Sequence, residues 1–188
     1  MRIITAFLTV VLLTTTALAQ QKPQSNNGPS LEVTMKFIQD KINAVGKVNY
    51  AAYWHNNADN TGGTNQFSVE VTNLVANPSD CRVSYHFKSL IDGKTSPPFD
   101  RDAWFSLREV QDLIVRTGEQ YQKKVNTDGG YPAIEAKIDP PIFVLGARKT
   151  GSGESQFMFR DEDMANRVAK ALVHAVELCG GGGKPEPF

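Results

Sequence analysis

The fold is decided by the stretch QFMFRDEDMANRVAKALVHAVELC, residues 156–179. Gln156–Arg160 has the composition of a short strand, and from Asp161 onward apolar residues recur at intervals of three and four. That spacing is typical of one face of an amphipathic helix. The residues on this face are Met164, Ala165, Val168, Leu172, Val176 and Cys179. Because Asp161 suits the N-cap and Gly180 the helix end, we predict a strand followed by a helix that covers a sheet.

A second amphipathic helix is predicted near the start of the chain. Ser30 suits its N-cap, Leu31–Val45 carries apolar residues at steps of three and four, and Gly46 ends it. Such a helix packs either on its own sheet or on a partner. Intramolecular packing is the commoner outcome, and docking of Leu31–Val45 on a partner stays open as an assembly role.

The first residues have the pattern of a secretory signal peptide. Arg2 gives a positive start, residues 3–13 are apolar, and Ala17 and Ala19 form a small-x-small cleavage site. The apolar run is too short to span a bilayer comfortably. We therefore expect residues 1–19 to be removed near Ala19 and the mature chain to be exported, to a periplasm or out of the cell. An uncleaved anchor is the alternative.

The remaining chain predicts one domain. Residues 20–29 are polar and aperiodic, as in a flexible spacer, residues 30–180 form a single globular α+β domain, and residues 181–188 form a disordered tail. The 20 Lys and Arg residues equal the 20 Asp and Glu residues in number. Because phosphate binding needs a basic excess, we expect no nucleic-acid partner. No later stretch is long and apolar enough to span a membrane, and the oligomeric state stays open.

The middle of the chain predicts about seven antiparallel strands in a barrel or in two crossed sheets. The alternation of apolar and polar residues is clearest in residues 81–89 and 65–75. We expect these two segments to pair as a hairpin with one face exposed to solvent. The phase of alternation slips at Asn73–Leu74, which indicates a bulge. The strand-like segments are 47–55, 65–75, 81–89, 103–108, 112–117, 142–148 and 156–160.

Two segments are ambiguous. Residues 104–117 fit a helix, because Ser106 and Glu109 are spaced as a capping box, or two short strands. We favour the strands, because Leu113–Val115 is a β-prone cluster. Residues 119–141 predict a long polar loop that carries a short edge strand at 134–138.

The two cysteines allow one disulfide. Cys81 lies on the apolar face of a predicted strand and Cys179 at the end of the last helix. An even count in an oxidising compartment favours pairing. Two buried thiols that never meet are the alternative, because sequence does not show distance.

The order of these elements resembles a pleckstrin-homology-like barrel, in which seven antiparallel strands are plugged by a C-terminal helix. The likeness lies in the pattern Phe105-x-Leu107-x-x-Val110 and in Gln156–Phe159 leading into the last helix. The chain is also similar to secreted bacterial proteins of unknown function. Lipid-binding members hold inositol phosphates with basic residues after the first strand, whereas residues 56–64 contain no Lys or Arg. The resemblance therefore implies a fold and no phosphoinositide role.

The sequence predicts no metal, cofactor or catalytic residues. The histidines His55, His86 and His174 lie in no His-Glu-x-x-His arrangement, and no Cys-x-x-Cys occurs. His86 shares the wet face of its strand with Arg82 and Lys88. Asp100 and Asp102 form a carboxylate pair that could work with His86 in acid–base chemistry.

The aromatic residues Tyr50, Tyr53, Trp54 and Trp104 are candidates for a ligand groove, although aromatic residues in small β domains usually belong to the core. The leading hypothesis is an exported, non-catalytic domain that binds a peptide, a protein or a small apolar ligand. The alternatives are an exported hydrolase built on His86 with Asp100 or Asp102, and a structural or assembly protein.

Overall fold

The computed structural model describes residues 28–94 and 99–182. The predicted signal peptide, most of the spacer and residues 183–188 lie outside the described residues. The helices are α1 (Leu31–Val45), α2 (Gly118–Asp128) and α3 (Glu162–Leu178). The strands are β1 (Lys47–Asn56), β2 (Thr61–Asn77), β3 (Arg82–Ile91), β4 (Asp100–Ser106), β5 (Val110–Thr117), β6 (Ile134–Asp139), β7 (Phe143–Lys149) and β8 (Ser152–Phe159).

The strands form two antiparallel sheets. The larger has the order β4-β3-β2-β1-β6, and the smaller has the order β5-β7-β8. The predicted α+β class and antiparallel pairing are confirmed, with eight strands and three helices in the described part of the chain. There the sheets do not close into a barrel, because β4 and β8 remain sheet edges. The likeness to a pleckstrin-homology-like barrel therefore stays a prediction.

Two local predictions have different outcomes. Residues 104–117 form strands joined by a short 3-10 turn, Leu107–Glu109, as favoured from the β-prone cluster. The long loop predicted over 119–141 is wrong in its first half, because Gly118–Asp128 is helix α2. The Thr117 side chain accepts from the Gln120 amide and the Gln120 side chain accepts from the Thr117 amide, so a capping box starts this polar helix.

One end of the molecule is closed by helices. The apolar face of α3 is buried against the small sheet and α1, and Val168 and Leu172 are almost fully covered. Helix α1 packs on α3 and β2 and buries Met35 and Ile38, so its apolar face is used within the chain. The rings of Phe105 and Phe157, from the two sheets, meet in this core.

A disulfide and a polar clamp fasten this closed end. The Sγ atoms of Cys81 and Cys179 are 2.11 Å apart, so the predicted pairing joins the start of β3 to the end of α3.

The predicted slip in the alternation of β2 is confirmed as a register shift between Thr72 and Val75. The Asn43 side chain of α1 donates to the Leu74 carbonyl and accepts from the Leu74 amide, both at 2.9 Å. Helix α1 thus satisfies backbone groups that the bulge leaves unpaired.

Across residues 28–94 and 99–182, we find no helix that is long and apolar enough to cross a membrane.

A candidate ligand groove between the sheets

At the other end of the molecule the sheets part and leave a groove of about 710 Å³. The inner face of the large sheet forms its floor, β8 forms one wall and α2 covers part of its length. A second cavity, of about 180 Å³, lies under α2 and shares Asn65, Phe67 and Gln122 with the groove. Its position beside the groove extends the accessible space towards β6.

The floor of the groove is aromatic and aliphatic. The rings of Tyr50 and Phe67 stack with their centroids 4.9 Å apart and their planes 8° from parallel. Val69, Phe87 and Met158 extend this surface. Alternation explains why these side chains share one side, because inner residues of neighbouring strands stand next to one another in a sheet. Tyr50, Val69 and Met158 are buried, so the accessible part of this floor comes mainly from the partly buried rings of Phe67 and Phe87.

The wall of the groove is polar and internally bonded. The Tyr121 hydroxyl of α2 donates to Gln156 Oε1 at 2.7 Å, which ties the helix to β8. Arg116 Nη1 lies 2.7 Å from Glu154 Oε1, and these side chains are only 14 % and 10 % exposed. Gly146 provides room for the pair, because a Cβ atom there would collide with the Glu154 carboxylate. The polar groups of the wall are therefore held in place by bonds within the protein.

Burial controls the protonation of the groove tyrosines. Burial raises the pKa of Tyr50, and the nearby Tyr121 hydroxyl raises it further. The pKa of Tyr121 is also raised, first by burial and then by the Glu154 carboxylate. Because both groups stay as phenols at neutral pH, each has a hydroxyl that can donate a hydrogen bond.

Two strand edges border the groove. Consecutive residues 101–104 of β4 and 153–156 of β8 line it. In a strand, successive side chains point to opposite faces, so four consecutive residues reach one cavity only where the main chain itself is exposed to it. The edge of each sheet, and not only its inner face, is therefore accessible from the groove.

The groove also carries two cations without an ionic partner in the described residues. Arg101 lies opposite Phe87 on the inner face of β4, and Lys149 lies at the end of β7. Neither forms an ion pair with any residue that the structure describes. Glu154, by contrast, is neutralised by Arg116. Asp102 also lines the groove and is hydrogen-bonded to His86, so the charges of the lining that have no partner among the described residues are positive.

The structure separates the four predicted groove residues. Tyr50 forms part of the floor. Trp54 lines the smaller cavity, where its Nε1 donates to Asn65 Oδ1 at 3.3 Å. Trp104 borders the groove at the β4 edge, but its ring lies against the Arg82 guanidinium, 4.1 Å away, on the outer face. Tyr53 does not enter either cavity, because it alternates with Trp54 and points outward, 48 % exposed.

The contribution of α2 to the groove was not predicted from the sequence. Tyr121, Gln122 and Val125 line the groove from a segment predicted as loop. Two signals were present: the spacing of Thr117 and Gln120, and the pair Tyr121 and Val125 four residues apart on one helix face.

The structure brings His86, Asp100 and Asp102 together on the outer face of the large sheet. His86 Nδ1 lies 2.9 Å from Asp102 Oδ1, and His86 Nε2 lies 2.9 Å from Asp100 Oδ1. Lys88 also binds Asp100, at 2.9 Å. The hydrogen bond to Asp102 is the main cause that raises the pKa of His86, and Asp100 acts in the same direction.

The cluster of His86, Asp100 and Asp102 links the side chains of β3 and β4, and we call it the clip. Both ring nitrogens of His86 face carboxylates, so neither is left to take a proton from a hydroxyl. The raised pKa of His86 favours the imidazolium, which is not a base. No group of three or more His, Cys, Asp and Glu residues suited to a metal ion occurs in the described ranges.

Comparison of the chain with protein-family models, with curated proteins and with solved structures returns no match in any of the three.

Proposed function

We propose that this chain is an exported, non-catalytic binding domain whose groove between the two sheets takes a ligand with a flat apolar part and an anionic group. The observation that carries the proposal is the groove itself: an aromatic floor beside a hydrogen-bonded polar wall. Ligand sites typically combine apolar surface with a few fixed polar groups, and their volumes run from about 300 to 1,000 Å³. The groove has this composition and this size.

The charge at the groove supports the anionic part of the proposal. Arg101 and Lys149 line the groove, whereas the acidic Glu154 is already paired with Arg116. An anionic group beside either cation would gain attraction without displacing an existing ion pair.

Binding is favoured over hydrolysis by the state of His86. The alternative hydrolase needs His86 as a base, and both of its nitrogens are hydrogen-bonded to carboxylates. The hydroxyl-bearing residues next to His86 are Thr72, opposite it on β2, and Ser84, two residues earlier on β3, and neither donates a hydrogen bond to His86 among the described contacts.

Export is the second part of the proposal. The pattern of residues 1–19 supports a signal peptide cleaved near Ala19, and the disulfide between Cys81 and Cys179 is compatible with an oxidising compartment. The intact mass of the chain recovered after expression with its own N-terminus tests it. A mature chain that starts at Gln20 is expected, and an uncleaved chain that starts at Met1 would contradict export by this route.

The groove is tested with 1-anilinonaphthalene-8-sulfonate, an anionic dye whose fluorescence rises in apolar sites. We expect saturable binding of one dye to the folded protein. Gly153→Trp is the blocking variant, because Gly153 lines the groove and a side chain there meets open space. Thr64→Trp is the matched control, since Thr64 is exposed opposite Tyr53 and borders neither cavity.

The expected result is loss of dye binding in Gly153→Trp and wild-type binding in Thr64→Trp, with both variants folded by circular dichroism. If the native protein binds no dye, or if both variants bind equally, the groove is not a ligand site and the proposed function is wrong.

A further inference from the structure

Two unpaired strand edges face the same groove. Strand β4 ends the large sheet and β8 ends the small one, and both border the groove through consecutive residues. A strand edge carries a row of free N–H and C=O groups that can pair with another extended chain. Here the two edges face a common space.

The pairing pattern shows which groups of β4 are free. Ser89 N–H donates to the Phe99 carbonyl, and Leu107 N–H donates to the Cys81 carbonyl. Because hydrogen-bonded pairs alternate along an antiparallel ladder, Arg101, Ala103 and Phe105 also bond to β3. The N–H and C=O groups of Asp102 and Trp104 therefore point away from β3, and none of the described residues bonds to them.

The two edges are close to each other. Phe105 of β4 lies beside Phe157 of β8, with ring centroids 6.2 Å apart. Tyr85, which is opposite Ala103, lies beside Ser155 and beside Phe157, with its ring centroid 5.3 Å from that of Phe157. A strand added along β4 would therefore lie near β8.

We infer that the occupant of the groove is an extended peptide segment, added as a strand along β4. This inference rests on the proposed function and names its ligand class. Alternate side chains of the peptide would enter the groove beside Arg101 and Ala103 of β4, next to Tyr85 and Phe87 of β3, which selects apolar residues there. An acidic side chain or a terminal carboxylate would lie near Arg101 and Lys149.

The charges of β4 fit selective pairing. Asp100, Arg101 and Asp102 are consecutive charged residues on an exposed edge, which discourages indiscriminate strand addition. The side chains of a peptide must complement these charges. The hydrogen bonds of its main chain would then provide the affinity, and its side chains would provide the selectivity. A small anionic amphiphile would use the floor and the cations but would leave the amides of Asp102 and Trp104 unused.

The test begins with random seven-residue peptides, the length of β4, displayed on phage and selected against the full mature chain. We expect enriched sequences with apolar residues at alternate positions and an acidic residue. Synthetic versions are then N-methylated at single positions. Methylation at alternate positions, where the peptide amide faces β4, weakens binding about tenfold, and methylation at the intervening positions has less effect unless β8 is also engaged.

A protein-side pair gives an independent readout. Trp104→Pro removes the outward N–H of β4 while leaving its ladder to β3 intact, because proline is tolerated at edge positions whose N–H is free. Trp104→Ala is the matched control, since it removes the indole and keeps the amide. We expect peptide affinity about tenfold lower in the proline variant than in the alanine variant. If the proline variant does not fold, the methylated peptides still decide.

The failure of this inference is distinct from failure of the proposed function. One outcome is that the dye and dodecanoate bind to the groove, but no peptide is enriched or the peptides are insensitive to every N-methylation. This outcome would overturn the inference of an added peptide strand and leave a groove for small ligands. Absence of binding by the dye, dodecanoate and peptides alike would overturn both. Peptide binding that persists in Gly153→Trp would place the peptide outside the groove and would also overturn the inference.

Discussion

The two ends of the molecule use the same strands for opposite purposes. At the closed end, α1 and α3 cover the sheets, Phe105 meets Phe157, and the Cys81–Cys179 bond fastens the helix to β3. At the open end, the same sheets part over a groove of about 710 Å³, with the short polar helix α2 as a partial cover. One end has buried its apolar surface within the chain, whereas at the other Phe67 and Phe87 are only partly buried beside the buried Tyr50.

This difference indicates where stability and function lie. Buried apolar side chains and a long-range crosslink stabilise the fold, so changes at the closed end should unfold the protein. The open end has a smaller buried apolar cluster under the groove, which includes Tyr50, and a few polar contacts in the groove wall, among them Tyr121 with Gln156 and Arg116 with Glu154. Changes there should alter binding more than stability, as is common where a rigid scaffold supports a site.

The largest effect is expected from the disulfide. Replacing both cysteines by alanine opens a crosslink between residues 98 positions apart and should lower the free energy of unfolding by about 4–5 kcal/mol. Urea denaturation of the double variant measures the loss. Wild-type protein unfolded under reducing conditions is the control and should show a loss of similar size. Equal stability with and without the bond would show that the helices alone hold the closed end.

The next largest effect concerns the apolar face of α3. Leu172 is 1 % exposed, so Leu172→Ala leaves a cavity and should cost about 2–5 kcal/mol of unfolding free energy. Val173→Ala is the matched control, because Val173 is adjacent and 44 % exposed, and its change should stay within about 0.5 kcal/mol. If the two variants have the same midpoint in urea, α3 does not cover the core.

A smaller effect is expected at the open end. Tyr121→Phe removes the hydroxyl that donates to Gln156 and should cost about 1 kcal/mol. Tyr131→Phe is the control, since Tyr131 is 64 % exposed, and it should leave the midpoint of unfolding in place. A loss in Tyr121→Phe as large as that in Leu172→Ala would show that the open end is as much part of the core as the closed end, which breaks the comparison.

The smallest effect concerns the clip on the outer face. The pKa of His86 is raised above its ordinary 6.5 by Asp102 and Asp100. Because the folded pKa is the higher one, the stabilisation is fully present below about pH 6.5 and is lost as the pH rises through the raised pKa. In an NMR titration, Asp102→Asn should lower the pKa of His86 towards 6.5, whereas Asp163→Asn, on α3, should leave it unchanged. An unaltered His86 titration in Asp102→Asn would contradict the clip.

Periodic patterns predicted the closed end well. The apolar spacing of α3 and of α1, and the clean alternation in β3, each reflect a face that is buried within the chain. The pairing of Cys81 with Cys179 was open because sequence does not show distance, and the fold brings their Cα atoms to 5.8 Å.

The open end was predicted poorly for physical reasons. Helix α2 has few apolar residues, so its pattern resembled a loop, and its capping box was the better signal. Of the four predicted groove residues, Tyr50 and Trp54 line cavities, whereas Tyr53 faces outward and the Trp104 ring packs on Arg82, because alternation decides which face a residue occupies. Tyr121 and Gln156 meet across 35 positions of chain, a contact that no local pattern contains.

The central claim is that the β4 edge is open to the groove, and amide hydrogen exchange measured by NMR tests it most directly. Ala103 and Phe105 pair with β3, so their amides should exchange slowly, whereas the outward amides of Asp102 and Trp104 should exchange quickly in the free protein. Slow exchange at Asp102 and Trp104, equal to that at Ala103 and Phe105, would mean that the edge is already covered and would contradict the account.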